Sequence, residues 1–133
     1  MNRVIASIKI RDTIAQLCLR ANLILRKDVL QALKKAYAKE PNKRAKERLS
    51  AIIKNALLAS KERLAICQDT GLPCVFVQLG EEVRITGGLK EAINKGVELG
   101  YHRGYFRNSI IKDPILRGKS GFSPCIMHLD ILS

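Results

Sequence analysis

Hydrophobic positions in the first half of the chain recur at steps of three and four residues, the spacing typical of amphipathic helices. This pattern predicts three helices. The first is expected to begin at Asp12 or Thr13, the second at Asp28 and the third at Asn42, because these side chains can cap a helix N-terminus. Pro41 separates the second helix from the third, since the residue before a proline is driven out of the helical region.

The second half of the chain carries a different pattern, with short runs of β-branched and aromatic residues. These runs predict strands at 74–79 and 83–85, a helix from Leu89 to a glycine-rich end at 100–104, and a closing strand at 125–132. We expect the closing strand to pair with the strand at 74–79. The predicted fold class is therefore α+β, with about three N-terminal helices followed by a small sheet with a crossing helix.

The length of 133 residues predicts a single domain, 1–133, with a basic helical half at 1–66 and a site-bearing half at 67–133. The net charge is +12, and residues 1–66 hold 16 Lys and Arg against 5 Asp and Glu. Such an excess is compatible with a solvated helix surface, with attraction of small dianions, or with nucleic-acid binding. Charge alone does not choose among these.

The four cysteines at 18, 67, 74 and 125 show no Cys-x-x-Cys pair, and no basic segment with a long apolar run opens the chain. We therefore expect a soluble, cytoplasmic protein with reduced thiols and no membrane span. Cys18, Cys74 and Cys125 lie in apolar runs, which predicts that they belong to the core.

Four successive residues before Gly71 carry a thiol, an amide, a carboxylate and a hydroxyl, namely Cys67, Gln68, Asp69 and Thr70. A thiolate is a soft ligand suited to iron, although a single cysteine is more often an inert thiol. Asp69 can serve proton chemistry, or it can bond the nearby backbone in an Asx-turn. Thr70 is read as a local cap and Gly71 as a backbone requirement of the turn. The residue types leave these alternatives open.

Four segments of the second half resemble a known family. They are Cys-Gln-Asp-Thr-Gly-Leu-Pro at 67–73, Val-Phe-Val at 75–77, Phe-Arg-Asn-Ser at 106–109 and Asp-Pro-Ile-Leu-Arg at 113–117. The chain resembles the iron–sulfur (class I) fumarase and L-tartrate dehydratase family, specifically the N-terminal part of its alpha subunit. The resemblance implies a hydro-lyase that adds water reversibly to a C4 dicarboxylate, fumarate to L-malate, with L-tartrate dehydration as the alternative.

The resemblance also implies roles for individual residues. Cys67 would be the first of three ligands to a [4Fe–4S] cluster, whose other two cysteines are expected outside this chain. Asp69 would bind substrate and handle a proton, Gln68 would donate to a substrate carboxylate, and Arg107 would grip a carboxylate with its guanidinium. The chain would then be a fragment of a longer alpha subunit, completed by a beta-type subunit or a C-terminal domain in an oligomer, and silent in isolation.

Two readings from other classes remain beside the enzyme, namely a basic helical module that binds nucleic acid and a non-catalytic scaffold. Aromatic residues make up only 5% of the chain and no helix-turn-helix is recognisable, which argues against nucleic acid. His102 and His128 lack the spacing of zinc ligands and are predicted to be structural.

Overall fold

A computed structural model describes residues 3–67 and 71–133 of the chain. Helices and strands follow one another in the order β1 (Arg3–Ala6), α1 (Ser7–Leu23), α2 (Lys27–Lys39), α3 (Lys43–Glu62), β2 (Cys74–Gly80), β3 (Val83–Thr86), α4 (Leu89–Arg103) and β4 (Ile126–Leu132). The α+β class is confirmed, with three helices between β1 and β2 and a fourth helix between β3 and β4. Within the described ranges, no helix combines the length and apolar character needed to cross a bilayer.

The first helix starts earlier than its predicted caps, at Ser7. Both caps lie inside α1 with their side chains engaged: the Thr13 hydroxyl donates to the Lys9 carbonyl at 2.8 Å, and Asp12 accepts from Nε of Arg11 at 2.8 Å. The expectation that Asp12 or Thr13 begins the helix is therefore wrong. Both residue types can bond local backbone or a neighbour within a helix as well as cap one.

Of the caps predicted for the next two helices, one is confirmed and one is wrong. Asn42 caps α3 as expected, because its side-chain oxygen accepts the Ala45 N–H at 3.2 Å. Asp28 instead lies in the first turn of α2, where Nε of Arg26 donates to its carboxylate at 3.0 Å. The observed N-cap is Arg26, so the predicted cap lies two residues too late. A carboxylate in the first turn still interacts favourably with the helix dipole, which explains why an aspartate occurs near this helix start.

Two parallel strand pairs make up the sheet structure. β1 pairs with β3 from Arg3 opposite Val83, and β2 pairs with β4 from Cys74 opposite Ile126. The expected pairing of the 74–79 strand with the closing strand is confirmed. β1 was not predicted.

The chain divides into two compact units, and the longer one contains residues 1–19 and 69–133. Its fully buried centre is on α4, where Ile93 and Val97 have no measurable exposure. The second unit, residues 20–68, contains α2 and α3 and buries Ala56 and Ala59 on α3.

In the longer unit, α4 packs directly against the backbone of α1 at two glycines spaced four residues apart. A Cβ at Gly96 would lie 2.6 Å from the Arg11 carbonyl oxygen, and one at Gly100 would lie 2.7 Å from the Ala15 carbonyl oxygen. Real Cβ atoms do not approach backbone so closely, so these two positions require glycine for the helices to touch.

We predict that Gly96→Ala and Gly100→Ala each lower the free energy of unfolding by about 1–3 kcal/mol, because the added methyl forces the two backbones apart. Urea denaturation followed by circular dichroism measures this. Gly121→Ala is the matched control, since a Cβ there meets nothing within 4 Å and its φ is not left-handed. Equal losses for all three variants would contradict the close contact.

Candidate functional site

The backbone that leads into Cys67 is fixed by two hydrogen bonds within the unit 20–68. The Ile66 N–H donates to the Asn22 carbonyl at 2.9 Å, and the side-chain amide of Asn55 donates to the Ile66 carbonyl at 2.8 Å. The C-cap of α3 is Arg63, three residues before Ile66, and it adopts a left-handed conformation with φ 56°. Cys67 therefore follows an anchored residue, and its thiol is exposed and not in a disulfide.

Gln68, Asp69 and Thr70 lie outside the described residues, so the predicted roles of Gln68 and Asp69 stay predictions. The structure resumes at Gly71, whose φ of +65° lies in the left-handed region. This confirms that Gly71 meets a backbone requirement, because L side chains rarely adopt that conformation.

Arg107 follows a cluster of aromatic rings at the end of α4. The buried Phe106 packs edge-on against Tyr101, with ring centroids 5.4 Å apart, and Phe122 lies 5.7 Å from Tyr101. His102 also packs against Phe122, at 4.6 Å, so its predicted structural role agrees with its position. The cluster holds the backbone at 106, and the Arg107 side chain that follows is exposed.

A cleft of about 560 Å³ opens in the longer unit between three segments of the chain. The first segment is the end of the 67–73 motif, the second lies just after Arg107 and the third precedes and begins β4. Its lining residues are Gly71, Leu72, Ser109, Ile110, Ile111, Pro124, Cys125 and Ile126. Gly71 and Ser109 are 38 positions apart along the chain. The two motifs that contain them thus border one cavity.

Hydrogen bonds hold the walls of this cleft in place. Ile110 and Gly121 exchange two backbone bonds, at 3.1 and 2.7 Å, and the Ile126 N–H donates to the Pro73 carbonyl at 2.9 Å. The Cys125 N–H donates to the Asn94 side-chain oxygen at 3.1 Å, which ties the third segment to α4. The shape of the cleft therefore depends on the contact with α4 and on the backbone hydrogen bonds between its lining segments.

A tight turn continues the chain beyond the cleft. The Asp113 carboxylate accepts the backbone N–H groups of Ile115 and Leu116, at 2.8 and 2.9 Å. The N–H of Leu116, followed by that of Ile115, lowers the pKa of Asp113, because both bonds favour its charged form. Asp113 in the 113–117 segment therefore works as a local backbone cap.

Comparison with protein families matches residues 11–133 to the family described as "Fumarate hydratase (Fumerase)". The chain belongs to this family. The family that the 67–73, 106–109 and 113–117 segments predicted is thereby confirmed.

One curated relative in Methanocaldococcus jannaschii bears the name "Putative L(+)-tartrate dehydratase subunit alpha". It is 36% identical to the present fumarase-family chain over 96 residues, which are 68% of this chain and 34% of the relative. The chain thus spans about a third of the length of this relative.

The cysteines of this fumarase-family chain can be compared with the needs of a [4Fe–4S] cluster. The Cys67 thiol is exposed at the end of an anchored backbone, so it is accessible to a metal ion. Within residues 3–67 and 71–133, no three His, Cys, Asp or Glu side chains gather closely enough to hold a metal ion. The described residues of the 67–73 motif thus offer one accessible thiol, and the described chain offers no complete ligand set.

The other three cysteines have distinct surroundings. Burial raises the pKa of Cys18 to about 11, with a further contribution from the nearby Cys125 thiol. Burial likewise raises the pKa of Cys125, which is half-buried and lines the cleft. Cys74 is exposed, so its predicted place in the core is wrong. It lies on the outward face of β2, together with Phe76 and Gln78.

Residue types alone did not single out Ser109 or Asn94. Ser109 was present in the quoted 106–109 segment, two positions after Arg107, and this proximity was the available signal. Asn94 carried none, because it lies among the polar positions of α4 and its bond to Cys125 spans 31 residues.

We predict that iodoacetamide at about pH 8.5 modifies Cys67 and Cys74 at least tenfold faster than Cys18. At a pKa of about 11, the thiolate fraction of Cys18 is roughly a hundredfold below that of an ordinary thiol. Peptide mass spectrometry over time gives the four rates, and labelling in denaturing urea is the control that should make them equal. If Cys18 reacted as fast as Cys67 in the folded chain, the burial of the Cys18 thiol would be contradicted.

Proposed function

We propose that this chain supplies part of the active site of a hydro-lyase that adds water reversibly to a C4 dicarboxylate, fumarate to L-malate. The observation that carries the proposal is the cleft at which the end of the 67–73 motif meets the segment after Arg107. Family membership makes this reaction class the natural one for the cleft. Its mixed lining of a serine and apolar side chains suits a small ligand with polar ends.

Hydration of a double bond requires a proton at one carbon and an oxygen at its neighbour, while the two carboxylates are held still. We assign the proton transfer to Asp69 and the grip on one carboxylate to Arg107, whose guanidinium can make two parallel hydrogen bonds. Gln68 would donate an amide hydrogen bond to the substrate. Exposure of Arg107 leaves its guanidinium accessible for this role.

Cys67 would hold one iron of a [4Fe–4S] cluster, with two further cysteines supplied from outside this chain. Such a cluster supplies Lewis-acid polarisation of the substrate oxygen when it is bound. The exposed Cys67 thiol at the end of an anchored backbone supports its role as a single ligand. The name of the Methanocaldococcus jannaschii relative, an alpha subunit, supports a site shared with a partner. We therefore propose a beta-type subunit or a C-terminal domain as the partner, within an oligomer.

L-Tartrate dehydration is the second candidate reaction, because the Methanocaldococcus jannaschii relative is named for it. Tartrate differs from malate by one hydroxyl group, and both are dicarboxylates that Arg107 would bind in the same way. Measuring kcat/KM for fumarate, malate and L-tartrate on the assembled enzyme decides between the two. A larger kcat/KM for L-tartrate than for fumarate and malate would identify the enzyme as an L-tartrate dehydratase.

The isolated 133-residue chain is predicted to be catalytically silent, because Cys67 is the one cysteine of its four that lies in the 67–73 motif, and one cysteine cannot hold a four-iron cluster. Anaerobic reconstitution with iron and sulfide should give no fumarate hydration and no stable cluster absorbance. A Cys67→Ser chain treated identically is the control for iron bound nonspecifically. Hydration at a normal enzymatic rate by the isolated chain would contradict the divided site.

In the assembled enzyme, Arg107→Lys should lower kcat/KM by roughly ten- to a hundredfold, because lysine loses the two-pronged grip on a carboxylate. Steady-state kinetics with fumarate measure this loss. Arg117→Lys is the matched control, since Arg117 is also exposed and carries no proposed substrate contact. The assignment of Arg107 fails if both variants retain the activity of the parent enzyme.

A further inference from the structure

A second cleft, of about 430 Å³, lies between α2 and α3 in the unit 20–68. Its lining on α3 follows steps of three and four residues, so these side chains share one face of that helix. The lining residues are Tyr37, Lys43, Lys46, Glu47, Ser50, Ala51 and Lys54. This cleft contains none of the residues assigned to the hydro-lyase site.

The cleft is positively charged, with three lysines against one glutamate among its lining residues. It lies in a unit that holds 13 Lys and Arg against 4 Asp and Glu. The ion pairs found among the described residues join Arg11 to Asp12, Arg26 to Asp28 and Lys61 to Glu62. The cleft lysines take part in none of these pairs, so no ion pair within the described residues neutralises their charge.

Tyr37 and Lys46 give the cleft a defined wall. The Lys46 ammonium lies over the Tyr37 ring, 5.1 Å from its centroid, which is the geometry of a cation–π contact. This contact holds one positive charge at the side of the cavity contributed by α2. Ser50 adds a hydroxyl that can donate to an anion.

The number of lysines favours a highly charged anion. Three ammonium groups line the cleft, on Lys43, Lys46 and Lys54. A C4 dicarboxylate carries two negative charges, whereas a triphosphate carries more charge and more acceptor oxygens for three ammonium groups, and lysine is a common phosphate ligand. We propose that the α2–α3 cleft binds a small polyphosphate anion, such as a nucleoside triphosphate.

A nucleic-acid strand presents the same phosphate chemistry but is a less suitable occupant. A cavity of about 430 Å³ has the size of a small-molecule site. Among the residues lining it, Tyr37 is the one aromatic side chain, and the Lys46 ammonium already lies over its ring. A row of bases would require several open stacking surfaces.

The test measures binding of ATP and of inorganic tripolyphosphate to the 133-residue chain by isothermal titration calorimetry at two salt concentrations. Both ligands should bind, and the triple variant K43Q/K46Q/K54Q should weaken each by at least about tenfold. The matched control K34Q/K35Q/R48Q removes the same number of charges at exposed positions outside the cleft and should weaken binding less than about threefold. Circular dichroism verifies that both variants keep their helices.

Three outcomes would overturn the proposal. No binding of ATP or tripolyphosphate to the parent chain at low salt removes the site. Equal weakening by the cleft and control variants means that the ligands respond to net charge and not to the cleft. Tight binding of a short single-stranded RNA, without binding of either small ligand, assigns the lysines to a nucleic-acid surface instead.

Discussion

The close contact between α1 and α4 is the interaction on which the arrangement of the longer unit depends. Gly96 and Gly100 let the two backbones meet without intervening side chains, and they lie beside the fully buried Ile93 and Val97. Direct backbone contact leaves no room for adjustment, since packed interiors respond to even one added methyl group. The position of α4 is therefore fixed closely, and α4 in turn supports the cleft.

α4 is tied to the chain around the cleft by a polar contact at its wall and by aromatic packing next to its lining segments. Asn94 accepts the N–H of Cys125 at one wall, while Tyr101 packs against Phe106 and Phe122 at its C-terminal end. Arg107 follows Phe106 directly, so the buried Phe106 ring also anchors the backbone next to a proposed substrate ligand. Stability and function are linked here because the same helix serves both.

Much of this fold could be predicted because its signals are local. Periodicity located α2, α3 and α4, and the Asn42 cap has the side-chain chemistry that a helix start requires. β1 escaped prediction because it runs into α1 without an intervening turn, whereas glycines flank the equally short β3, and its strand character comes from pairing with β3. Cys74 could have been placed correctly, since alternation puts it on the same strand face as Gln78, a polar residue that favours solvent.

The candidate site was predicted less completely than the fold, for a physical reason. Residue types identify which groups can bind iron or a carboxylate, but only tertiary structure brings Gly71 and Ser109 to one cavity. Asn94 shows the limit most clearly, because its bond to a backbone N–H 31 residues away depends on the packing of α4 and leaves no trace in sequence. Roles that rest on a motif can be read early, whereas the residues that hold the motif in place cannot.

We propose that the cleft bordered by Gly71, Ser109 and Ile126 receives the dicarboxylate substrate. The decisive measurement is a crystal structure of the assembled enzyme with bound malate. Malate is expected in this cleft, with one carboxylate within hydrogen-bonding distance of the Arg107 guanidinium. Malate bound elsewhere, with Arg107 still in solvent, would rule this cleft out as the substrate site.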